Sequence, residues 1–209
     1  PYRRIEQAIA AELLPAKLSK DMLVLADRNF YGFKLWQTAC ASGASLVWRV
    51  KANLKLEVQQ MLPDGSYLSC VFDSADKTRS APVVVRVIDY TLKNSATPIS
   101  DNYRLLTNIL DAQAAPALEL AGLYHERWEI EGVFDEFKTH LRANSTVLRS
   151  KTPELVQQEL WGLLLAHFAI RQLMVQAAGA RAVDPDRLSF THALRVIKRK
   201  MPQAAAVPP

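Results

Sequence analysis

A short apolar run that ends in an acidic residue constrains the fold of this chain most strongly. Residues Met22–Ala26 read MLVLA, and Asp27 follows them directly. A continuous apolar run of this length is typical of a strand buried on both faces, as at the centre of an α/β sheet. Asp27 then stands at the carboxyl end of that strand, where such sheets usually form their active-site crevice. The alternative is that Asp27 only caps a helix predicted at 33–42.

The middle of the chain has the pattern of β-structure. Runs rich in β-branched residues predict strands at 45–51, 54–61, 66–72, 82–92 and 103–110. The second and third runs flank Pro63, Asp64 and Gly65, which together form a hairpin signal. We therefore expect a small, mostly antiparallel β block over 54–110.

The C-terminal part of the sequence predicts helices. Thr152, Pro153 and Glu154 supply an N-cap, a proline at the first helical position and a first-turn acid. They open a long apolar helix that should reach about residue 178 and be buried nearly all round. His167 in this helix is expected to be a hydrogen-bonded core histidine and not a ligand. A last amphipathic helix is predicted at 189–200.

The stretch YHERWEIEGVFDEFK carries the second group of candidate site residues. It lies in a run from 116 to 142 without an internal proline, which predicts one continuous helix. On a helical wheel Tyr124, Arg127, Glu131 and Lys138 then share a polar stripe about 60° wide, beside an apolar face. A carboxylate between cations and a phenol can hold a divalent metal and phosphates together. The alternative is an amphipathic helix with ordinary salt bridges at its boundary.

Charge and composition narrow the chemistry further. The net charge is +5, and from Lys138 onward there are eleven Lys and Arg residues against four Asp and Glu residues. Such a basic end indicates a polyanionic partner, or simply a solvated basic helix. The four His and two Cys residues lack zinc-site spacing, and no glycine-rich phosphate loop is present. Carboxylates and cations remain, and carboxylates suit hard divalent metals.

The spacing Tyr124, two residues, Arg127, three residues, Glu131, six residues, Lys138 resembles the Y-R-E-K signature of DDE transposases in insertion sequence family four. The stretch LADRNFY, which contains Asp27, resembles the block around the second catalytic Asp of that family. This chain has Asn29 where the family commonly has glycine. The resemblance covers nearly the whole chain.

The resemblance implies a partial ribonuclease-H-like core of α/β class with a mostly antiparallel β insertion and C-terminal helices. The expected segments are the core strands at 1–53, the insertion at 54–110, the signature helix at 111–150 and a basic helical region at 151–209. Asp27 and Glu131 would ligate Mg²⁺ or Mn²⁺, while Tyr124, Arg127 and Lys138 would bind DNA phosphates. Trp128 would stack on a base near the cut or pack against the insertion.

The implied function is cut-and-paste DNA transposition by metal-dependent phosphodiester hydrolysis and strand transfer. The implied partners are double-stranded DNA, as terminal inverted repeats and target DNA, and a second copy in the active full-length form. No membrane partner is expected, and free cysteines favour the reducing bacterial cytoplasm, near the nucleoid.

One feature departs from the family pattern. The first catalytic Asp of the family lies on a strand upstream of the block around Asp27, and the 26 residues before Asp27 contain no strand that ends in Asp. We therefore expect an N-terminally truncated fragment that is inactive by itself. Two other classes stay open, a non-catalytic DNA-binding remnant and a two-carboxylate hydrolase that acts on another substrate.

Overall fold

The computed structural model describes residues 6–93, 100–141 and 148–204. The chain divides into two compact units, Pro1–Arg127 and Trp128–Pro209. The described residues form α-helices and one six-stranded sheet, so the predicted mixed α/β class is confirmed. The four segments predicted from the sequence stay predictions.

Among the described residues, the first unit contains the sheet and three helices. The strands are β1 (Leu23–Ala26), β2 (Ser45–Val50), β3 (Gln60–Met61), β4 (Tyr67–Val71), β5 (Val83–Lys93) and β6 (Ser100–Thr107). The helices are α1 (Glu6–Lys17), α2 (Phe33–Ala41) and α3 (Ala117–Glu126). The strand order is β1-β2-β6-β5-β4-β3, with β1 and β2 parallel and every other pair antiparallel.

The first strand differs from the prediction. We expected the run that ends in Asp27 to be central and buried on both faces, but within the described residues β1 is hydrogen-bonded to β2 alone and forms one edge of the sheet. Met22 and Leu23 are consequently exposed, while Ala26 is buried. An apolar run reports burial, but the position of a strand in its sheet depends on partners elsewhere in the chain.

The predicted β block does not form a sheet of its own. β6 pairs with β2 in antiparallel register, with Val47 opposite Thr107, so the strands after residue 54 extend the sheet begun by β1 and β2. The predicted hairpin is confirmed at β3 and β4. Its turn is closed by the Leu62 N–H, which donates to the Ser66 carbonyl at 2.8 Å. Gly65 has φ +82° there, a conformation that favours glycine.

Alternating residues of the central strands cover two separate cores. Leu46, Trp48 and Leu106 face one core, in which Trp36 of α2 meets Trp48 edge-to-face at 5.2 Å. The intervening residues face α3, and they include Val47 and Leu105. The period-two alternation of a strand thus decides which residues meet α3, the helix that begins the signature.

The second unit is helical. It contains α4 (Trp128–Asp135), a π-helical segment (Glu136–Leu141), α5 (Pro153–Gly179), a 3₁₀ turn (Pro185–Arg187) and α6 (Phe190–Ala204). The predicted cap of α5 is confirmed, since the Leu155 N–H donates to Thr152 Oγ1 at 3.4 Å and Pro153 opens the helix. A small core joins Ile170 and Met174 of α5 to Phe190 and Leu194 of α6.

The predicted all-round burial of α5 is wrong. Only Ile170, Met174 and Ala178 of its described side chains are buried, while Leu165 and Phe168 are mostly exposed. By length and composition alone α5 is also apolar enough to cross a bilayer, a test that core helices of soluble proteins pass as well. The composition therefore predicted an apolar helix correctly, but it did not predict how much of the helix surface is buried.

Candidate active site

Asp27 lies where the two parallel strands end. It follows Ala26, whose partner across the ladder is Trp48, so Asp27 leaves the sheet beside Arg49. Leu25 packs into the core beneath α3, and alternation directs Asp27 toward that same face. One carboxylate oxygen, Oδ1, accepts a hydrogen bond of 2.6 Å from the Asn29 N–H. The half-buried carboxylate is therefore held by its own turn.

The alternative role of Asp27 as a helix cap is wrong. The N-cap of α2 is Gly32, and no side chain forms a capping hydrogen bond there. Asp27 instead closes an Asx-type turn with Asn29, and its carbonyl accepts from the Phe30 N–H at 3.1 Å. Capping of α2 therefore gives no reason for an acid at this position.

Tyr124 of α3 reaches the same environment from the helix side. It is only 1% exposed and packs in the core that contains Val47 and Leu105. Burial raises the pKa of its phenol and the charge of Asp27 raises it further, whereas Arg127 and Arg49 act in the opposite direction. The prediction that Tyr124 lies on a polar stripe is therefore corrected, because its ring belongs to the core.

Asp27, Arg49, Tyr124 and Arg127 form what we call the strand-end cluster. The guanidinium carbon of Arg127 lies 5.6 Å from the centre of the Tyr124 ring. The Arg127 N–H donates to the Tyr124 carbonyl at 3.2 Å, which closes the last turn of α3. The structure thus brings one of the four signature residues, Tyr124, into electrostatic reach of Asp27, and Arg127 lies over the Tyr124 ring.

Arg49 was missed by the sequence analysis. Its guanidinium carbon lies 3.9 Å from the centre of the Tyr103 ring, a cation–π contact. Tyr103 in turn stacks on Tyr90, with ring centres 5.2 Å apart, and the Tyr90 hydroxyl lies 3.3 Å from His125 Nε2. A charged residue inside the otherwise apolar strand SLVWRV was the available signal, since such a residue needs a partner.

The sequence predicted one continuous helix for the signature, but the structure divides the signature among three helical segments. α3 ends at Glu126, α4 begins at Trp128, and a π-helical segment replaces the α-helix from Glu136. A wheel drawn at 100° per residue fails across such changes, because a π turn holds more residues than an α turn. The boundary between the two units also falls here, directly after Arg127.

Glu131 and Lys138 belong to the second unit. Glu131 is an exposed residue of α4. Lys138 lies in the π-helical segment, and its Nζ lies 5.6 Å from the centre of the ring of Phe134 in α4. Trp128 is 51% exposed and Phe134 is 54% exposed. The apolar face predicted beside the signature is therefore exposed at Phe134.

A buried ion cluster accompanies the π-helical segment. Glu136, 8% exposed, accepts hydrogen bonds from Arg171 Nη2 at 2.7 Å and Arg171 Nε at 3.1 Å. His167 Nε2 lies 2.7 Å from the same carboxylate, and the His167 ring stacks on Phe137. The prediction that His167 is a hydrogen-bonded histidine is confirmed. The cluster turns Glu136 toward α5 at the residue where the helix changes its period.

The donor chemistry suits a hard cation in part. Asp27 offers carboxylate oxygens at a strand end, which is the kind of ligand that Mg²⁺ prefers. Within the described ranges, no group of three or more His, Cys, Asp or Glu residues could hold a metal ion. The first unit therefore supplies a single candidate ligand, Asp27, and the second predicted ligand, Glu131, lies in the other unit.

Comparisons with known proteins agree with the signature. The family model described as "Transposase DDE domain" matches residues 3–169. The chain is 30% identical over 199 residues to "Transposase InsG for insertion sequence element IS4" from Escherichia coli, covering 91% of this chain and 44% of that protein. It is 25% identical over 163 residues to "Putative transposase for insertion sequence element IS4SA" from Synechocystis sp., covering 71% and 43%. The chain spans less than half the length of these relatives.

Proposed function

Because the chain belongs to the family of transposases with a DDE domain, of the insertion sequence four group, we propose that it supplies part of the catalytic site for DNA transposition. The observation that carries this proposal is the strand-end cluster, in which Asp27 leaves the sheet beside Arg49 and the Arg127 guanidinium lies over the buried Tyr124 ring. A carboxylate beside guanidinium groups suits a phosphodiester whose charge the arginines balance.

Each signature residue takes a separate role in this proposal. Asp27 and Glu131 are metal ligands, for Mg²⁺ or Mn²⁺. When bound, the metal would polarise the scissile phosphodiester and activate its nucleophile. Arg127 and Lys138 hold phosphates, and Trp128, whose ring is half exposed, stacks on a base. Tyr124 positions Arg127 from within the core of the first unit.

Metal ligation can be tested in this chain without any assay of activity. When hydrogen peroxide and ascorbate are added, Fe²⁺ bound in place of Mg²⁺ reduces the peroxide to hydroxyl radicals, which cut the backbone beside the metal, and ascorbate regenerates the Fe²⁺. We expect cuts mapped by mass spectrometry near residues 27 and 131, which excess Mg²⁺ suppresses. Asp27→Asn should remove them, whereas Asp21→Asn, before β1, should not. Cuts that persist in the Asp27 variant, or that fall only elsewhere, would contradict the assignment.

A non-catalytic DNA-binding protein is the second candidate, favoured by the basic residues from Lys138 onward. Glu131→Ala separates the two functions in a protein extended to the length of its relatives. If Glu131 is catalytic, strand cleavage is lost while the affinity for DNA changes by less than about threefold. Glu129→Ala, two residues earlier on α4, is the matched control. Equal cleavage by both variants would contradict the role of Glu131, whereas DNA binding without cleavage by the unsubstituted protein would favour the second candidate.

The remaining expectations concern the whole protein. We propose that the bound DNA is duplex terminal inverted repeat and target DNA, that the active form is a homodimer, and that it works in the bacterial cytoplasm at the nucleoid. We also retain the prediction that these 209 residues cut no DNA alone. Mg²⁺-dependent cleavage of a terminal-repeat duplex by this chain would contradict that prediction.

A further inference from the structure

A basic cavity lies beside the strand-end cluster in the first unit. Its volume is about 330 Å³. The residues that line it are Arg28, Tyr31, Lys51, Asn53, Leu54 and Lys55. Three cations are present among these described lining residues and no carboxylate is, so the lining of the cavity has a net positive charge.

The cavity is tied to Asp27 by the chain itself. Arg28 is the residue directly after Asp27, and Lys51 directly follows β2, the strand parallel to β1. Both cations therefore emerge from the same end of the sheet as Asp27. A strand of nucleic acid with one phosphate at Asp27 could continue over this cavity without leaving the sheet edge.

The backbone that carries the lysines is held in place by hydrogen bonds from Arg104. Arg104 Nη1 donates to the carbonyl of Ala52 at 2.9 Å and to that of Leu54 at 2.8 Å. Arg104 is itself held by two hydrogen bonds to Asp89, at 2.7 and 2.8 Å. The Leu54 N–H closes the turn on the Lys51 carbonyl at 3.0 Å. This loop is therefore preorganised, which lowers the entropic cost of presenting its cations to a ligand.

Tyr31 adds a hydroxyl to the cavity. Burial raises the pKa of its phenol, so the hydroxyl stays protonated near neutral pH and can donate a hydrogen bond. Together with the amide of Asn53, the cavity presents donors that suit phosphate oxygens.

We infer that the basic cavity binds the phosphodiester backbone of DNA next to the strand held at Asp27. This inference rests on the proposed function and extends it, because the cavity lies outside the Y-R-E-K signature and adds Lys51 and Lys55 to the residues that bind DNA. The bound backbone can belong to the transposon end or to target DNA, and the two sources share this chemistry.

Salt-dependent binding tests the inference on the 209-residue chain. Binding would be followed by fluorescence anisotropy between about 50 and 200 mM salt. The probes are two duplexes of equal length, one with the terminal repeat that flanks the gene and one with the same bases shuffled. The variant is Lys51→Gln/Lys55→Gln. The control is Lys17→Gln/Lys20→Gln, which removes the same charge from exposed positions before β1.

Each lost phosphate contact should lower the slope of log affinity against log salt by about 0.9, so we expect a fall of nearly 2 for the cavity variant and much less for the control. If the slope falls on both duplexes, the cavity binds DNA of any sequence, as expected for target DNA. If the slope falls on the terminal-repeat duplex alone, the cavity binds the transposon end. An unchanged slope, or an equal fall in the control, overturns the inference.

Failure of the broader proposal gives a different result. If the unsubstituted chain bound neither duplex, the proposed function and the cavity would both be overturned. Acetylation of surface amines gives a second measurement. It uses the unsubstituted chain, so it does not require any variant to fold. DNA should protect Lys51 and Lys55 and leave Lys17 and Lys20 reactive. The reverse pattern of protection would also overturn the inference.

Discussion

Single charged residues in apolar strands set much of the chemistry of the first unit. Arg49 lies within SLVWRV and Arg86 within VVVRV, yet neither is exposed to solvent as an ordinary surface cation. Arg49 lies over the ring of Tyr103, and Arg86 is 0% exposed. Guanidinium groups tolerate this because they stack on rings and donate several hydrogen bonds at once.

Removal of Arg49 should change the titration of two neighbouring phenols. Burial has the largest influence on the pKa of Tyr90 and of Tyr124, and it raises both values. Arg49 acts in the opposite direction and lowers both pKa values. Arg49→Ala should therefore raise both pKa values further, because the phenolate loses a nearby cation. The measurement is the pH dependence of tyrosinate absorbance.

The control for that titration is Arg79→Ala, since Arg79 lies in an exposed loop and touches neither phenol. A curve for Arg49→Ala that matches the control would show that Arg49 has no influence on these tyrosines.

At the scale of elements, one buried arginine joins a hairpin turn to the helix that bears Tyr124. Arg86 forms an ion pair with Asp64 and donates to Ser66 Oγ at 2.8 Å and to the Ala115 carbonyl at 2.7 Å. Asp64 also accepts from the Ala117 N–H at 2.8 Å, at the start of α3. Burial alone would raise the pKa of Asp64, but these hydrogen bonds and Arg86 hold it below its ordinary value.

Arg86→Ala should destabilise the first unit by about 3–5 kcal/mol, because it leaves the partners of a buried cation without their donor. Equilibrium urea denaturation measures this change. Arg79→Ala removes an exposed pair with Glu57 at 4.0 Å and should cost less than about 1 kcal/mol. Similar losses for the two variants would show that the buried network contributes little.

The π-helical segment offers a parallel test in the second unit. Glu136→Gln removes the charge that Arg171 and His167 share, and should destabilise this unit by about 2–4 kcal/mol. Glu129→Gln, on an exposed position of α4, should change stability by less than about 0.5 kcal/mol. Hydrogen exchange of the α5 and α6 amides in increasing urea reports this unit, and an unchanged midpoint for Glu136→Gln would count against the cluster.

Short sequence motifs predicted turns and helix caps well, but they did not predict which distant strands pair. The turn at Asp64 and Gly65 and the cap at Thr152 depend on neighbouring residues, so the sequence contained the whole cause. The pairing of β2 with β6 joins residues about sixty positions apart, and no local pattern specifies it. The break at Arg127 was missed because the residues around it are good helix formers, and tertiary contacts decide there.

The candidate site was predictable to the same extent. Asp27 could be placed because a strand end is a local feature, and the structure adds its electrostatic influence on the pKa of Tyr124. Arg49 and the basic cavity could not be placed, since both depend on which strand lies beside β1.

For the whole molecule, buried phenols should make stability depend on alkaline pH. Burial is the first cause of a raised pKa at Tyr31, Tyr67, Tyr90 and Tyr124. The unfolded chain ionises these groups near pH 10, before the folded chain does, so their contribution is complete below about pH 10 and is lost above it. Urea denaturation at a series of pH values from about 8 to 11 should show a steady fall above pH 10. A constant free energy of unfolding would contradict this.

The break in the signature also has a consequence for the covalent chain. Arg127 closes α3, and Trp128 opens α4 directly after it. The four residues from Arg127 to Glu131 reach at most about 14 Å when fully extended, so the chain itself keeps the proposed phosphate-binding residue near the proposed metal ligand. A residue inserted after Arg127 should lengthen this reach while α3 and α4 each stay folded.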